Sequence, residues 1–414
     1  MTFVCVLLLG IGIEAEAAVP GAVTGLKQVD AGPNSVEIRW DAVIGNHMMY
    51  KVELCANQSF MGGVMDNLEY NSKEQIVGAA INPDQSFRGL SPGKKYYVRV
   101  TAFSNSGSPD YKCTWGPKSK VLEVVTAPAN SNIENFTQTK ASETSITLSW
   151  KKYSEANAYQ LVYAKKGSGK RTTLKLGDVK SCTVKKLSKN GEYQFWLWPV
   201  KKSADGFRAL NGKGKTLYWC SVLPTKVKGV KCEFGDPSSN FLDISWNLHK
   251  LAKGYQYQVY TEGGKKALLT GKKAGKVKKT DVTSDKLKGL RFLRLRMRGY
   301  VKIDGSAKYG AWSDWTYFSR QPKLTLESAK DGMKLSWGKV EGATDYTVYL
   351  SDKRASGYKK AGNTKKTSYT VKKWGKSNLE TGKMYYFIVT ANKKVGKKTF
   401  HSPKSYCFWR TYGK

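Results

Sequence analysis

The sequence has no long apolar segment beyond its first residues, almost no histidine, and fewer acids than bases by more than half; each shortage removes a class of function. Residues Phe3 to Ile13 form an apolar run too short to span a bilayer. No later stretch reaches the length of a membrane span, so no transmembrane helix is expected. The three histidines, His47, His249 and His401, are scattered, and the seven cysteines form no Cys-x-x-Cys pair, which leaves a metal site little to build on. The chain contains no Gly-x-Ser-x-Gly elbow, no His-Glu-x-x-His and no phosphate-binding loop, the arrangements that position a nucleophile, a metal-bound base or a nucleotide. Catalysis needs such groups in a cleft, so neither enzymatic activity nor a cofactor is expected. No long 3.6-residue periodicity occurs, which argues against helices. No helix-turn-helix, zinc finger or single-strand stacking signature is present, and dedicated nucleic-acid binding is not expected either.

What the chain has is a repeat. Four short alternating segments end in tryptophan: Val36-Glu37-Ile38-Arg39-Trp40, Ile146-Thr147-Leu148-Ser149-Trp150, Leu242-Asp243-Ile244-Ser245-Trp246 and Met333-Lys334-Leu335-Ser336-Trp337. The tryptophans are roughly 110, 96 and 91 residues apart, too far for a solenoid and right for one small domain per repeat. Each is followed 9 to 11 residues later by an aromatic-x-aliphatic step, Tyr50/Val52, Tyr159/Leu161, Tyr257/Val259 and Tyr346/Val348. A leucine then leads by fixed spacing into a third alternating run: Leu90 to Tyr96/Val98/Val100, Leu187 to Tyr193/Phe195/Leu197, Leu287 to Leu293/Leu295/Met297, and Leu379 to Tyr385/Phe387/Val389. Alternation puts each set on one face of a strand, and glycine-bearing turns such as Ser91-Pro92-Gly93 precede the third run. Short, regularly spaced, alternating strands imply two packed antiparallel sheets per repeat.

These three steps, taken together and in register four times, resemble the fibronectin type III domain over essentially the whole chain after its first residues. The resemblance implies an all-β chain of four tandem immunoglobulin-like sandwiches in an extended row. It places Trp40, Trp150, Trp246 and Trp337 between the sheets and gives Tyr96, Tyr193 and Tyr385 a corner hydrogen bond. The third repeat has Leu293 at the corner position, so its corner bond should be missing. In the first, about 40 residues separate Tyr50 from Leu90, against about 28 to 33 elsewhere, and the excess is expected as a loop near Met61-Gly62-Gly63-Val64-Met65.

Proline joints at Ala127-Pro128-Ala129, Leu223-Pro224-Thr225 and Gln321-Pro322-Lys323 divide the chain into domains 19–127, 128–224, 225–321 and 322–414. Joints this short limit inter-domain freedom. Residues 1–18 read as a secretory signal peptide, an apolar run followed by the small-x-small Ala15-Glu16-Ala17, although no Lys or Arg precedes the run. With no sorting or lipid signal at Phe408 to Lys414, the protein is expected to be secreted, held to a surface if at all by its charge, and monomeric. Six cysteines remain after residue 18. Cys55 with Cys113 and Cys182 with Cys220 are the pairs available within one repeat; each residue reads first as a small apolar filler, and both pairings stay open.

The formal net charge of +38 is unevenly spread. Lys plus Arg against Asp plus Glu is 11 to 10 in residues 19–127, then 17 to 6, 21 to 8 and 21 to 6 in the next three repeats. Much of the excess falls in loops and exposed strand positions, as in Lys272-Lys273, Lys359-Lys360, Lys365-Lys366, Lys372-Lys373, Lys393-Lys394 and Lys397-Lys398. Such surfaces keep a protein soluble and blunt its edge strands; they also attract polyanions. Aromatic residues are abundant, but most fall at inward positions.

One constellation stands apart. Arg294, Arg296 and Arg298 alternate with core residues and so line the outer face, and a hairpin turn at Asp304-Gly305 leads to Trp312-Ser313-Asp314-Trp315-Thr316 on the partner strand. This resembles the Trp-Ser-x-Trp-Ser box of cytokine-receptor domains, in which tryptophans and arginines interleave in a cation-π ladder. A stiffening role is expected first, and a platform for a sugar or anionic polymer second.

Three functional readings follow. The first is a surface protein whose basic repeats associate with anionic cell-wall or extracellular polymers, or with other surface proteins, and display the neutral first domain. Its Lys/Tyr-rich style, as in Tyr346-Thr347-Val348-Tyr349, resembles wall-associated proteins of Gram-positive bacteria. The second is an accessory part of a glycan-degrading or wall-remodelling system. The third, an animal-type adhesion ectodomain, finds no Arg-Gly-Asp in any loop and only sparse glycosylation sequons, at Asn57 and Asn135.

Overall fold

The computed structural model describes residues 18–45, 48–69, 77–79, 89–105, 112–130, 132–235, 240–329 and 331–413. The expected signal segment, except Ala18, lies outside these residues, as do Cys5 and His47. Regular structure within them is β-strand apart from one 3₁₀ turn, Asp285–Leu287, and no helix among them is long and apolar enough to cross a membrane. A three-stranded and a five-stranded antiparallel sheet recur in each of the four repeats, and repeat four adds a two-stranded hairpin, Lys373–Trp374 with Ser377–Asn378. The described residues within 18–137, 148–182 and 193–220 form one compact unit and those within 138–147, 183–192 and 221–413 another.

Alternation supplies the cores. In Glu192–Lys202 and Leu293–Ile303 every second residue is buried along most of the strand. Val36, Ile38, Val52, Leu54, Val98 and Val100 form the core of repeat one around Trp40; Leu242, Ile244, Val259, Leu293, Leu295 and Met297 do so around Trp246, and Met333, Leu335, Val348, Phe387 and Val389 around Trp337. Phe292, which precedes the long strand of repeat three, is inserted in the core of repeat four. Its N–H donates to Glu341 O at 2.8 Å, and Glu341 N–H returns a bond to Leu290 O at 2.9 Å.

The tryptophan has the same partner in every repeat. Its ring centroid lies 5.3 Å from Tyr50, 5.4 Å from Tyr159, 5.3 Å from Tyr255 and 5.2 Å from Tyr346. Each tyrosine hydroxyl accepts the N–H three residues beyond the tryptophan: Val43 at 2.8 Å, Tyr153 at 2.8 Å, His249 at 2.6 Å and Val340 at 2.9 Å. Opposite the tyrosine on the long central strand stands a compact residue, Ala102, Pro199, Gly299 or Ala391, which leaves room for the ring. In repeat three this position belongs to Tyr255 and not to Tyr257, which the sequence spacing selects. The two sit on one face of the strand, so alternation cannot separate them; only the contact with Trp246 does.

The corner bond is made by Tyr96, whose hydroxyl accepts Ser91 N–H at 2.8 Å, and by Tyr385, which accepts Glu380 N–H at 3.1 Å. In repeat three Leu293 is buried at that place. There the chain enters the strand from the 3₁₀ turn, capped by Ser284, whose Oγ accepts Lys286 N–H at 3.3 Å. The loop expected near Met61 to Met65 is found over residues 56–64, longer than the corresponding connections 166–170, 262–268 and 352–358. Residue 65 already opens the strand Met65–Glu69, which pairs with Met48–Cys55.

The last strand of each repeat is broken into two stretches pairing with the same long central strand. A serine bridges the break in three repeats: the N–H groups of Ser119, Ser313 and Ser405 donate to Val100 O at 2.9 Å, Met297 O at 2.7 Å and Val389 O at 2.9 Å. Their Oγ atoms accept Val100, Met297 and Val389 N–H at 2.9, 3.0 and 2.9 Å. Neither open disulfide pairing forms. Cys55 stands opposite Tyr97 and Cys113 opposite Asn105 along one strand, a separation of about 26 Å where a disulfide needs Cα atoms within about 7 Å. Cys182 and Cys220 lie on strands of different sheets. Burial pushes the Cys220 thiol up to about 12 and raises that of Cys182, so both are held as thiols.

His249 fastens residues 188–191 to the start of repeat three. Its Nδ1 accepts Leu251 N–H at 3.3 Å, so Nε2 carries the proton and donates to Asn190 Oδ1 at 3.0 Å. Burial, and then the charge of Lys250, hold its pKa below the usual imidazole value. A depressed pKa means that its contribution to stability is complete above about pH 6.5 and is lost as pH falls through the lowered folded value. The urea midpoint should therefore drop between pH 7 and pH 5, and His249→Gln should remove part of that drop; an unchanged pH slope in the variant would contradict the assignment.

Candidate functional site

The strand Leu293–Ile303 faces Leu293, Leu295 and Met297 inward and Arg294, Arg296 and Arg298 outward, half-buried. At Asp304 and Gly305 φ is 49° and 70°, the left-handed pair that a two-residue hairpin requires, and the chain returns as Ser306–Tyr309. Trp312 and Trp315 follow outside any strand, before Thr316–Phe318 resumes pairing. This differs from the expectation of tryptophans on a regular partner strand. The cause is the break bridged by Ser313, which lets 310–315 run beside the arginine strand on isolated bonds such as Gly310 N–H to Gly299 O at 2.9 Å.

The side chains stack in alternation. Arg298 lies 4.0 Å from the Tyr309 ring centroid and 4.2 Å from that of Trp312. Arg296 lies 4.3 Å from Trp312 and 4.9 Å from Trp315, and Arg294 lies 4.3 Å from Trp315. Tyr260 closes the stack edge-on against Trp315 at 5.3 Å. The guanidinium edges are held by neutral oxygens across the sheet: Arg298 Nε donates to Gln256 Oε1 at 2.8 Å, Arg296 Nη2 to Gln258 Oε1 at 2.8 Å and to Tyr260 Oη at 3.0 Å, and Arg294 Nη2 to Gly264 O at 2.9 Å. Burial, then the Arg296 charge, lowers the pKa of Arg298, with Tyr309 opposing; an arginine remains cationic all the same. The nearby Asp314 is turned to Lys226 at 2.8 Å. Three fixed positive charges are thus presented between aromatic faces.

Sequence spacing found five of these rungs. It missed Tyr309, Tyr260, Gln256 and Gln258. The last three stand at alternate positions opposite the arginines, a pattern visible only once the pairing register is known. Beside the ladder a groove of about 400 Å³ is lined by Arg296, Trp312, Trp315, Tyr317, Lys398 and Phe400. Tyr317 and Phe400 touch at 5.0 Å.

The lysine runs lie on edges and hairpins. Lys272 and Lys273 are on Leu269–Ala274, and Lys359 and Lys360 on Lys359–Thr364, each the edge strand of its five-stranded sheet. Lys393 and Lys394 are spoken for, at 2.6 Å from Glu262 and 2.8 Å from Asp345. The core tryptophans Trp40, Trp150, Trp246 and Trp337 are buried, as are Tyr96, Tyr193 and Tyr385, so they offer nothing to a ligand. Six aromatics, Tyr218, Trp219, Tyr406, Phe408, Trp409 and Trp115, are exposed. Among the described residues no group of three or more His, Cys, Asp or Glu side chains gathers as metal ligands do.

Residues 21–113 and 131–215 match the family model of the fibronectin type III domain. The rabbit (Oryctolagus cuniculus) collagen alpha-1(XII) chain is 24% identical over 265 residues, which is 62% of this chain and 36% of that protein, so the chain spans little more than a third of its relative. Among solved structures, the chicken CNTN1 FN1-FN3 domains are 16% identical, covering 73% of this chain and 99% of that one with a TM-score of 0.29. A two-domain fibronectin type III segment of chicken tenascin is 19% identical, covering 45% and 96% with a TM-score of 0.23.

Proposed function

We propose that this chain, a tandem array of fibronectin type III domains, is a non-enzymatic secreted or cell-surface protein that binds and spaces. Its basic repeats two to four hold it to anionic cell-wall or extracellular polymers, and the near-neutral repeat one is displayed. The observation that carries this is the charge distribution: 17, 21 and 21 bases against 6, 8 and 6 acids in the last three repeats, beside 11 against 10 in the first. Lysines on edge strands project into solvent, where a polyanion can exchange its condensed counterions for them, an entropic gain that shrinks as salt rises.

The polymer has two candidate settings. The Lys/Tyr-rich style supports a bacterial wall; a relative named as an animal collagen chain supports an extracellular matrix. Both supply polyanions, and the fold by itself hosts either role. The test is retention of the full chain on immobilised teichoic acid and on a sulfated glycosaminoglycan across a salt series. With six or more phosphate-type contacts, affinity should fall by about a thousandfold or more between 50 and 200 mM salt. The polymer retained at higher salt identifies the setting, and retention indifferent to salt would refute charge anchoring.

A further inference from the structure

Two of the lysine runs of repeat four meet where its two sheets come edge to edge. Lys359–Thr364 is the edge strand of the five-stranded sheet, and Ser368–Val371 is that of the three-stranded one. Tyr369 joins them: its hydroxyl donates to Ala361 O at 3.2 Å, and it fits because a Cβ on Gly362 would fall on that hydroxyl. The pairing register shifts at this point, leaving Ala361 without a partner on Asp345–Ser351. Lys359 stands opposite the core residue Leu350, and directly opposed residues share a face. It therefore lies on the core side of its strand, yet exposed, at the mouth between the sheets.

The segment that follows sets repeat four apart. Residues 372–378 separate Val371 from Leu379, where 185–186 separate Val184 from Leu187 in repeat two and 284–286 separate Thr283 from Leu287 in repeat three. The added residues fold as the hairpin of Lys373–Trp374 with Ser377–Asn378 and lay Trp374 against the core, with Lys359 Nζ 5.4 Å from its ring centroid. Between hairpin and strand edges remains a cavity of about 520 Å³, walled by Lys359, Lys360, Lys372, Lys373, Tyr369 and Trp374, with no acid among its lining residues. Two of these lysines have an acid within reach outside the cavity. Lys372 Nζ is 3.9 Å from Asp331, and the Lys360 charge is felt at Asp345, which Lys394 already pairs at 2.8 Å. Lys359 and Lys373 have no ion-pair partner among the described residues. A lysine at a sheet edge ordinarily keeps another strand from pairing. Edge protection alone calls for neither a covering hairpin nor an indole laid under the ammonium.

We propose that this cavity seats a stretch of a polyol phosphodiester, an acyclic chain carrying one phosphate per unit. Every cation in the wall is a lysine, a point charge with three rotatable donors, which suits a tetrahedral phosphate and lacks the planar fork that grips a carboxylate bidentately. Trp374 carries an ammonium over its ring and Tyr369 is engaged through its hydroxyl. The wall thus offers charged donors in place of open aromatic faces, which favours a flexible phosphodiester over stacked pyranose rings. Lys359 on the edge strand and Lys373 on the hairpin give such a chain two fixed points. This assignment rests on the polyanion reading of repeats two to four and adds to it the chemistry of the polymer and a seat of defined shape.

The test uses the full chain at physiological salt. A short glycerol phosphate oligomer, a sulfated and a carboxylated oligosaccharide of similar charge, and a short single-stranded DNA are titrated by calorimetry and tryptophan fluorescence. Wild type should bind the glycerol phosphate oligomer at one per chain and more tightly than either oligosaccharide. Lys359→Met and Lys373→Met should each weaken it about tenfold or more, as expected for a lost charge-assisted hydrogen bond, with Tm unchanged because both side chains are exposed. Lys272→Met, which removes the same charge from the edge strand of repeat three, should leave the affinity as it was. Trp374→Phe should abolish the fluorescence change while calorimetry still registers binding. Equal losses from Lys272→Met and Lys359→Met, or a fluorescence change that survives in Trp374→Phe, would refute the seat; salt-dependent retention of long teichoic acid would then still support charge anchoring. Tighter binding of the sulfated or carboxylated oligosaccharide would overturn the phosphodiester assignment. DNA bound as tightly as the polyol, with the same loss in Lys359→Met, would make this a nucleic-acid site instead. If wild type retains neither the oligomer nor long teichoic acid, both readings fall.

Discussion

Trp246→Ala is expected to destabilise repeat three by about 3–5 kcal/mol, the range for removing a large buried aromatic. The indole is 3% exposed and packs on Tyr255 at 5.3 Å, whose hydroxyl in turn accepts His249 N–H. Truncation therefore leaves a cavity and loosens the tyrosine that fixes the following loop. The full effect should appear in calorimetry of the whole chain as a downward shift of one transition while that of repeat one stays in place; a shift shared by repeat one would refute independent folding. Trp246→Phe should cost less. The indole N–H finds no acceptor among the described residues, as is also true of Trp150 and Trp337, and phenylalanine keeps most of the apolar area without burying an unpaired donor.

The second large effect is expected at the centre of the ladder. Arg296→Ala should cost about 2–4 kcal/mol, from cation-π contacts with Trp312, Trp315 and Tyr260 of about 0.5–2 kcal/mol each and hydrogen bonds from a charged donor of about 1.5–3 kcal/mol, less whatever solvent recovers at a half-buried site. Arg296→Lys keeps the charge but not the plane that stacks between Trp312 and Trp315, so it should recover less than half of the loss. Urea unfolding measures both, and near-ultraviolet circular dichroism should change in each variant as the indoles lose their fixed spacing. An Arg296→Ala variant as stable as wild type, with unaltered aromatic dichroism, would mean that the stack is decorative. The same variant separates stiffening from binding: if retention on anionic polymers falls while stability holds, the ladder is a platform.

Much of the fold was legible because sheets leave a two-residue signature. Val36/Ile38/Trp40 and Tyr96/Val98/Val100 alternate as they must when one face is buried, and four copies in register fix the repeat. Legibility fails where two residues share a face, as Tyr255 and Tyr257 do, and where a strand breaks. At Ser119, Ser313 and Ser405 the interruption depends on a serine hydroxyl replacing a lost ladder acceptor, which no alternation pattern announces. The candidate sites divide in the same way. Arg294, Arg296 and Arg298 could be read from one strand, but Tyr309, Gln256 and Gln258 reach the ladder from other segments of the chain. Trp196 and Trp198 were available to the same alternation that placed Phe195 and Leu197 inside; Trp219 was not, since it follows the exposed Tyr218 out of alternation with a left-handed backbone, φ 47°.

The sequence by itself determined an all-β chain of repeated two-sheet units, the core tryptophans, and the contrast between a neutral first repeat and three basic ones, because composition and period-two burial are properties of the chain taken locally. Only the tertiary structure decided which tyrosine holds each tryptophan, that the cysteines stay apart as thiols, and where exposed aromatics meet cations. Those depend on the register between strands distant in sequence, and register is set by how whole faces pack, not by any one strand.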